Sequence, residues 1–121
     1  MKKTKETGDY GEKLALAHLR NNGYQIRHQN WRYGHKELDI ICQKDDMLVV
    51  VEVKTRKNSE FEGPNEVVTK RQQRFIIEAT NAYMESYKLD LEVRLDVIYI
   101  LYDGRPQPEV EHIEDAFYPG V

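Results

Sequence analysis

Between Gly8 and Asn22 the apolar residues recur at helical spacing. Tyr10, Leu14 and Ala17 fall at i, i+4 and i+7, and Leu16 and Leu19 widen the stripe. That pattern predicts an amphipathic helix. Asn21-Asn22-Gly23 closes it, with Gly23 suited to the left-handed cap position. Tyr24–Arg32 then reads as a strand. His35–Gln43 alternates around Leu38, Ile40 and Cys42, with Asp39 and Ile41 facing the other way, and Met47–Arg56 is rich in valine. Only Lys44-Asp45-Asp46 separates these two runs, which signals a hairpin.

Lys57–Asn65, with Ser59, Gly63 and Pro64, reads as a loop. A long helix is expected over Glu66–Tyr87, where Val68, Gln72, Phe75, Ile76, Ala79, Ala82 and Tyr83 form one stripe. Glu92–Tyr102 is a strand ended by the turn Asp103-Gly104-Arg105-Pro106, and Glu109–Phe117 is a short edge strand. The order α-β-β-β-α-β-β predicts an α/β sandwich built on a mixed sheet.

The chemistry is concentrated in the hairpin. Glu52 and Lys54 interrupt the apolar run Met47–Val53, and Asp39 interrupts Leu38–Cys42. Strand side chains alternate, so Glu52 and Lys54 share one face. A two-residue loop at Asp45-Asp46 would place Asp39 across from Glu52, with Cβ atoms roughly 5 Å apart. Two carboxylates that close need a shared proton or a shared cation. The donors are all oxygen, which suits Mg²⁺ or Mn²⁺. Such an ion would lower the pKa of a bound water and neutralise charge on a phosphoryl oxygen, with Lys54 orienting the water or the phosphorus. These are the parts of a phosphodiester hydrolase. The competing reading is that Glu52 and Lys54 merely mark the solvated face of an antiparallel sheet.

Composition narrows the picture. The 121 residues include one cysteine, Cys42, so no internal disulfide can form and a thiolate zinc site is excluded. His18, His28, His35 and His112 show no paired ligand spacing. No apolar run reaches the ~18 residues of a membrane span, and the basic start Met1–Glu6 has no apolar stretch behind it. A single soluble, cytoplasmic domain over 1–121, with a flexible 1–7, is the expectation. The net charge of −3 hides an asymmetry. Residues 1–57 carry 12 Lys and Arg against 8 Asp and Glu, whereas residues 58–121 carry 6 against 13. What counts for a phosphate partner is a local basic surface, not the total.

Four segments in order carry a resemblance: Gly8-Asp9-Tyr10-Gly11-Glu12, Asn30-Trp31-Arg32, Glu37-Leu38-Asp39-Ile40-Ile41 and Val51-Glu52-Val53-Lys54-Thr55-Arg56. Over about residues 8–102 the chain resembles the YraN-type family of small bacterial proteins. That family is assigned by similarity to the PD-(D/E)XK nuclease superfamily, near the archaeal Holliday-junction resolvases. The resemblance implies a restriction-endonuclease-like fold and Mg²⁺-dependent cleavage of nucleic acid. Asp39 and Glu52 match the metal-binding carboxylates and Lys54 the catalytic lysine, with the backbone carbonyl of Val53 as a further ligand. Glu12 matches a first-helix glutamate that reaches the same site; an ordinary helix-surface glutamate is the alternative. Lys36 stands where the family usually has glycine, a departure that touches the local turn and not the carboxylates.

Other candidates follow from position. Gln72 sits on an apolar stripe, where a catalytic amide and a core hydrogen bond are competing explanations. Glu37 shares the Asp39 face. Arg56, Lys57, Lys70, Arg71 and Arg74 would line a phosphate-binding rim. Trp31 and Tyr33 either stack on bases or pack beneath the loop, and Asp96 reads as structural, partnered by an arginine. Three functions stay open: an endonuclease acting on branched or single-stranded DNA, a non-catalytic nucleic-acid-binding module of the same fold, and a protein-binding adaptor that uses the acidic second half. A homodimer would suit a junction-cutting enzyme, because two strands must be cut symmetrically.

Overall fold

The computed structural model describes residues 5–56, 68–102 and 106–117. In chain order its elements are α1 (Lys5–Asn21), β1 (Gln25–Tyr33), β2 (Lys36–Lys44), β3 (Met47–Arg56), α2 (Lys70–Ser86), β4 (Glu92–Leu101) and β5 (Glu109–Phe117). The five strands form one mixed sheet in the order β1-β2-β3-β4-β5. β3 runs antiparallel to β2 and parallel to β4, with α2 as the crossover. This is the α/β sandwich the sequence predicts, a mixed sheet flanked by helices. The expected loop at Lys57–Asn65 and most of the Asp103–Pro106 turn lie outside the described residues.

β3 is central because its sequence can be buried on both sides. Leu48, Val50 and Ile41 pack with Ile76, Ala79 and Tyr83 of α2. Val49, Val51, Val53, Ile40 and Cys42 pack with Ala15, Leu16 and Leu19 of α1. A nearly continuous apolar run is what a strand covered on both faces needs.

The helices differ from the predicted ones in instructive ways. α1 begins at Lys5, inside the stretch expected to be loose. Its buried line is Gly11, Ala15 and Leu19 with Leu16, while Tyr10 is 47% exposed and Ala17 is also exposed. The inward face is therefore rotated from the predicted Tyr10–Leu14–Ala17 stripe. Close approach explains it: a Cβ on Gly11 would sit 2.7 Å from Thr55 Oγ1 on β3, so small residues, not large ones, mark the contact. The C-terminus behaves as expected. Gly23 takes φ 85°, Tyr24 N–H donates to the Leu19 carbonyl at 3.0 Å and Gly23 N–H to that of Arg20 at 3.2 Å. That pair of bonds is a Schellman cap.

α2 starts at Lys70, not Glu66, because Thr69 caps it. At the hairpin, Lys44 pairs with Met47 and Asp45 takes φ 55°. A positive φ at the first central residue is what primed two-residue turns require.

A candidate acidic site at a fork in the sheet

β2 and β3 are paired from Lys44↔Met47 up to Ile40↔Val51. Beyond that point β2 continues against β1 as far as Lys36, and β3 continues against β4 as far as Arg56. The sheet thus forks at Asp39 and Glu52, the positions the hairpin register sets opposite each other. In an unbroken ladder the next N–H of β3 facing β2 would meet a backbone carbonyl. Instead Val53 N–H donates to Asp39 Oδ2 at 2.9 Å. One carboxylate oxygen is thereby fixed at the fork and the other lies outside that bond.

Glu52 and Lys54 share the α2 face of β3, as alternation from Leu48 and Val50 requires. Lys54 Nζ lies 3.5 Å from Glu52 Oε2, and the side chains are only 13% and 18% exposed. This is a largely enclosed ion pair, not a solvated sheet face. Beside it a cavity of about 160 Å³ is lined by Lys36, Glu37, Glu52, Gln72, Phe75 and Ile76. Lys36 Nζ stands 5.5 Å over the Phe75 ring.

Gln72 has a definite local task. Its Oε1 accepts from Thr69 N–H at 3.0 Å while its own N–H donates to Thr69 Oγ1 at 3.1 Å. This reciprocal capping box explains an amide on an apolar stripe. It also places the side chain on the cavity wall with Glu52. Lys70, Arg71 and Arg74 are exposed in the first turns of α2, and that first turn holds no acidic residue. Cations there oppose the helix dipole. Arg56 ends β3, its guanidinium donating to the Thr55 carbonyl at 2.9 Å. Lys57 lies outside the described residues.

Glu12 lies on α1. It is half-buried on α1 and follows Gly11, which packs on Thr55. It thus stands at the same end of β3 but in the layer across the sheet. Among the described residues no three His, Cys, Asp or Glu side chains gather in a metal-holding group. Asp39 is held on the Val53 backbone, the residue that follows Glu52. Oxygen-only donors at a point where backbone pairing stops fit a hard divalent cation that keeps several waters.

Trp31 and Tyr33 pack. Trp31 meets Tyr83 edge to face at 5.1 Å, and Tyr33 lies 6.1 Å from Phe75. Asp96 is structural and has its arginine: it is 1% exposed, with Arg94 at 2.8 Å, His112 Nε2 at 2.7 Å and Asp115 N–H at 3.0 Å. Burial pushes its carboxyl up, but the hydrogen bonds from His112, Arg94 and Asp115 outweigh that and hold it below the ordinary range. Arg94 also donates to the Tyr24 hydroxyl. His112 Nδ1 faces His18 Nε2 at 3.0 Å, a meeting across 94 residues that no local spacing announces. Burial, with His112 adding to it, lowers the His18 pKa. Cys42 is inert, its thiol pushed up to about 12 by burial and by Asp96.

Fold and site together define an α/β protein with a carboxylate–lysine centre on one side of a mixed sheet. A profile of the uncharacterised protein family UPF0102, the YraN-type family, matches residues 11–100, and the chain belongs to that family. A UPF0102 protein of Phocaeicola vulgatus is 47% identical over 116 residues, covering 96% of this chain and 95% of its own. One from Bacteroides thetaiotaomicron is 44% identical over 114 residues, covering 94% and 93%. One from Flavobacterium psychrophilum is 42% identical over 113 residues, covering 93% and 94%.

Proposed function

We infer that this protein is a metal-dependent endonuclease that hydrolyses phosphodiester bonds in nucleic acid, with branched or single-stranded DNA as its substrate class. The observation that carries the reading is the docking of the Asp39 carboxylate on Val53 N–H at the fork, beside the enclosed Glu52–Lys54 pair.

Asp39, Glu52 and the Val53 carbonyl would hold Mg²⁺ or Mn²⁺. In a strand the carbonyl of a residue points to the same side as its N–H, so that of Val53 also faces the fork. The ion, when bound, supplies charge neutralisation at the phosphoryl oxygen and a more acidic water. The protein's own groups do the rest. Glu52 anchors the Lys54 ammonium within reach of the scissile phosphate, where it stabilises the negative charge that accumulates as water attacks phosphorus and the bond to the leaving sugar oxygen breaks. The half-enclosed setting strengthens that interaction relative to bulk water. Lys70, Arg71 and Arg74 would grip flanking phosphates. Two cations in the first turn of a helix, Lys70 and Arg71, lower its stability, a cost that an anionic partner offsets.

The test is cleavage of duplex, single-stranded and four-way-junction DNA, and of RNA, with Mg²⁺ or Mn²⁺. Metal-dependent products that disappear with Glu52→Ala and Lys54→Ala support the assignment. No cleavage of any substrate with either metal removes it. Salt-sensitive binding without cleavage, indifferent to Glu52→Ala, would mark a binding module instead.

A further inference from the structure

Along β1 and β2 the register runs Gln29↔Ile40 and then Trp31↔Leu38, so Asn30 and Asp39 face each other in a gap that the regular pairing passes over. Asn30 has φ 51° in the middle of a strand. Left-handed backbone is rare outside glycine, though asparagine tolerates it better than most residues. One such residue turns the pleat over, and the side chains record the turn. Ile40 packs on the α1 side, yet Leu38, two residues earlier and due on the same face, packs on the α2 side. Trp31 and Tyr33 likewise join the α2 side. The expectation that Leu38, Ile40 and Cys42 line one face is corrected here. Past the Asn30–Asp39 level the β1–β2 ribbon is rolled toward α2.

Asp39 sits at the roll itself. A residue in a regular pleat points above or below the sheet, whereas Asp39 reaches sideways along it to the Val53 N–H. We propose that Asn30 is a positioning residue for Asp39: its left-handed backbone rolls the ribbon so that the carboxylate turns into the fork. The proposal rests on the reading of Asp39 as a functional carboxylate, and it gives the Asn30-Trp31-Arg32 segment a task that the carboxylates and lysine leave open.

The experiment compares amide hydrogen exchange in the ¹⁵N-labelled full chain with Asn30 replaced by glycine, which accepts positive φ, or by valine, which resists it. Asn30→Val is expected to speed Val53 exchange at least tenfold while the Leu48–Val51 amides hold. Asn30→Gly is expected to match the wild type. Unchanged Val53 protection in Asn30→Val overturns the proposal, as does equal loss in Asn30→Gly. Should Asn30→Val fail to fold, Asn30→Ala provides the same comparison, with Val53 exchange faster than in Asn30→Gly. Titration with Mn²⁺ separates the two ideas. At least tenfold weaker binding in Asn30→Val supports both. A wild type that binds no Mn²⁺ overturns the nuclease reading alone, while Val53 exchange still decides the positioning.

Discussion

Lys54 and Glu52 form their 3.5 Å ion pair two residues apart on one strand, facing a helix and not open water. A pair this enclosed is costly to break from one side, because the remaining charge loses the ion-pair attraction without regaining full hydration. Exposed pairs, by contrast, contribute little. Lys54→Ala is therefore expected to lower stability by about 1–3 kcal/mol in urea melts, and cleavage by at least about 100-fold. Glu52→Gln, which keeps shape and hydrogen bonding, should cost less stability and as much activity. A Glu52→Gln protein that cuts at the wild-type rate would remove Glu52 from the site.

The first turns of α2 make the opposite trade. Arg71 is exposed beside the Thr69 cap and opposes the helix dipole. Arg71→Glu should raise stability by about 0.3–1 kcal/mol while weakening DNA binding and reducing its salt dependence by about one counterion. Thermal melts and binding isotherms at several salt concentrations check both halves. Weaker binding with unchanged salt dependence would argue against a phosphate contact.

Gly11 tests how closely α1 must approach the sheet. Alanine is the better helix former by about 1 kcal/mol, yet a Cβ here meets Thr55 Oγ1 at 2.7 Å. Gly11→Ala should thus destabilise by about 1–3 kcal/mol. Denaturant midpoints decide the sign, and a stabilised Gly11→Ala would contradict the packing.

The His18–His112–Asp96 network sets an acid dependence. The His18 pKa is lowered on folding, so the unfolded chain binds the proton first as pH falls. Its contribution is full above about pH 6.5, the unfolded value, and is lost as pH drops through the folded one. Asp96 is also held low, so its contribution is lost only in stronger acid, below about pH 3.9. Urea unfolding between pH 7 and 5 should show stability falling by no more than about 1.4 kcal/mol per pH unit for His18. His18→Gln should flatten that fall. An unchanged slope would assign the dependence elsewhere.

Much of this was legible in the sequence for identifiable reasons. The β3 boundaries, Met47–Arg56, match because a buried valine run ends where polar residues begin. The hairpin register followed from Lys44-Asp45-Asp46 and holds as far as Ile40↔Val51, one step short of Asp39 and Glu52. What escaped has a physical cause in each case. The α1 face was misread because Gly11 and Ala15 carry no hydrophobic signal, although their smallness is what permits contact. The roll at Asn30 was hidden because period-two reading assumes an unbroken pleat, and His18 meets His112 only through tertiary structure. The start of α2 could have been found from Thr69-x-x-Gln72, a capping-box pattern that also accounts for Gln72.

The central claim is that Asp39 and Glu52, carried by adjoining strands, together hold one divalent cation. Titration of Mn²⁺ followed by electron paramagnetic resonance measures this directly, without a nucleic acid. One bound ion per chain in the wild type, lost in both Asp39→Asn and Glu52→Gln with the fold intact, is the result expected. A wild type that binds no Mn²⁺, or binding that either substitution leaves unchanged, would contradict it.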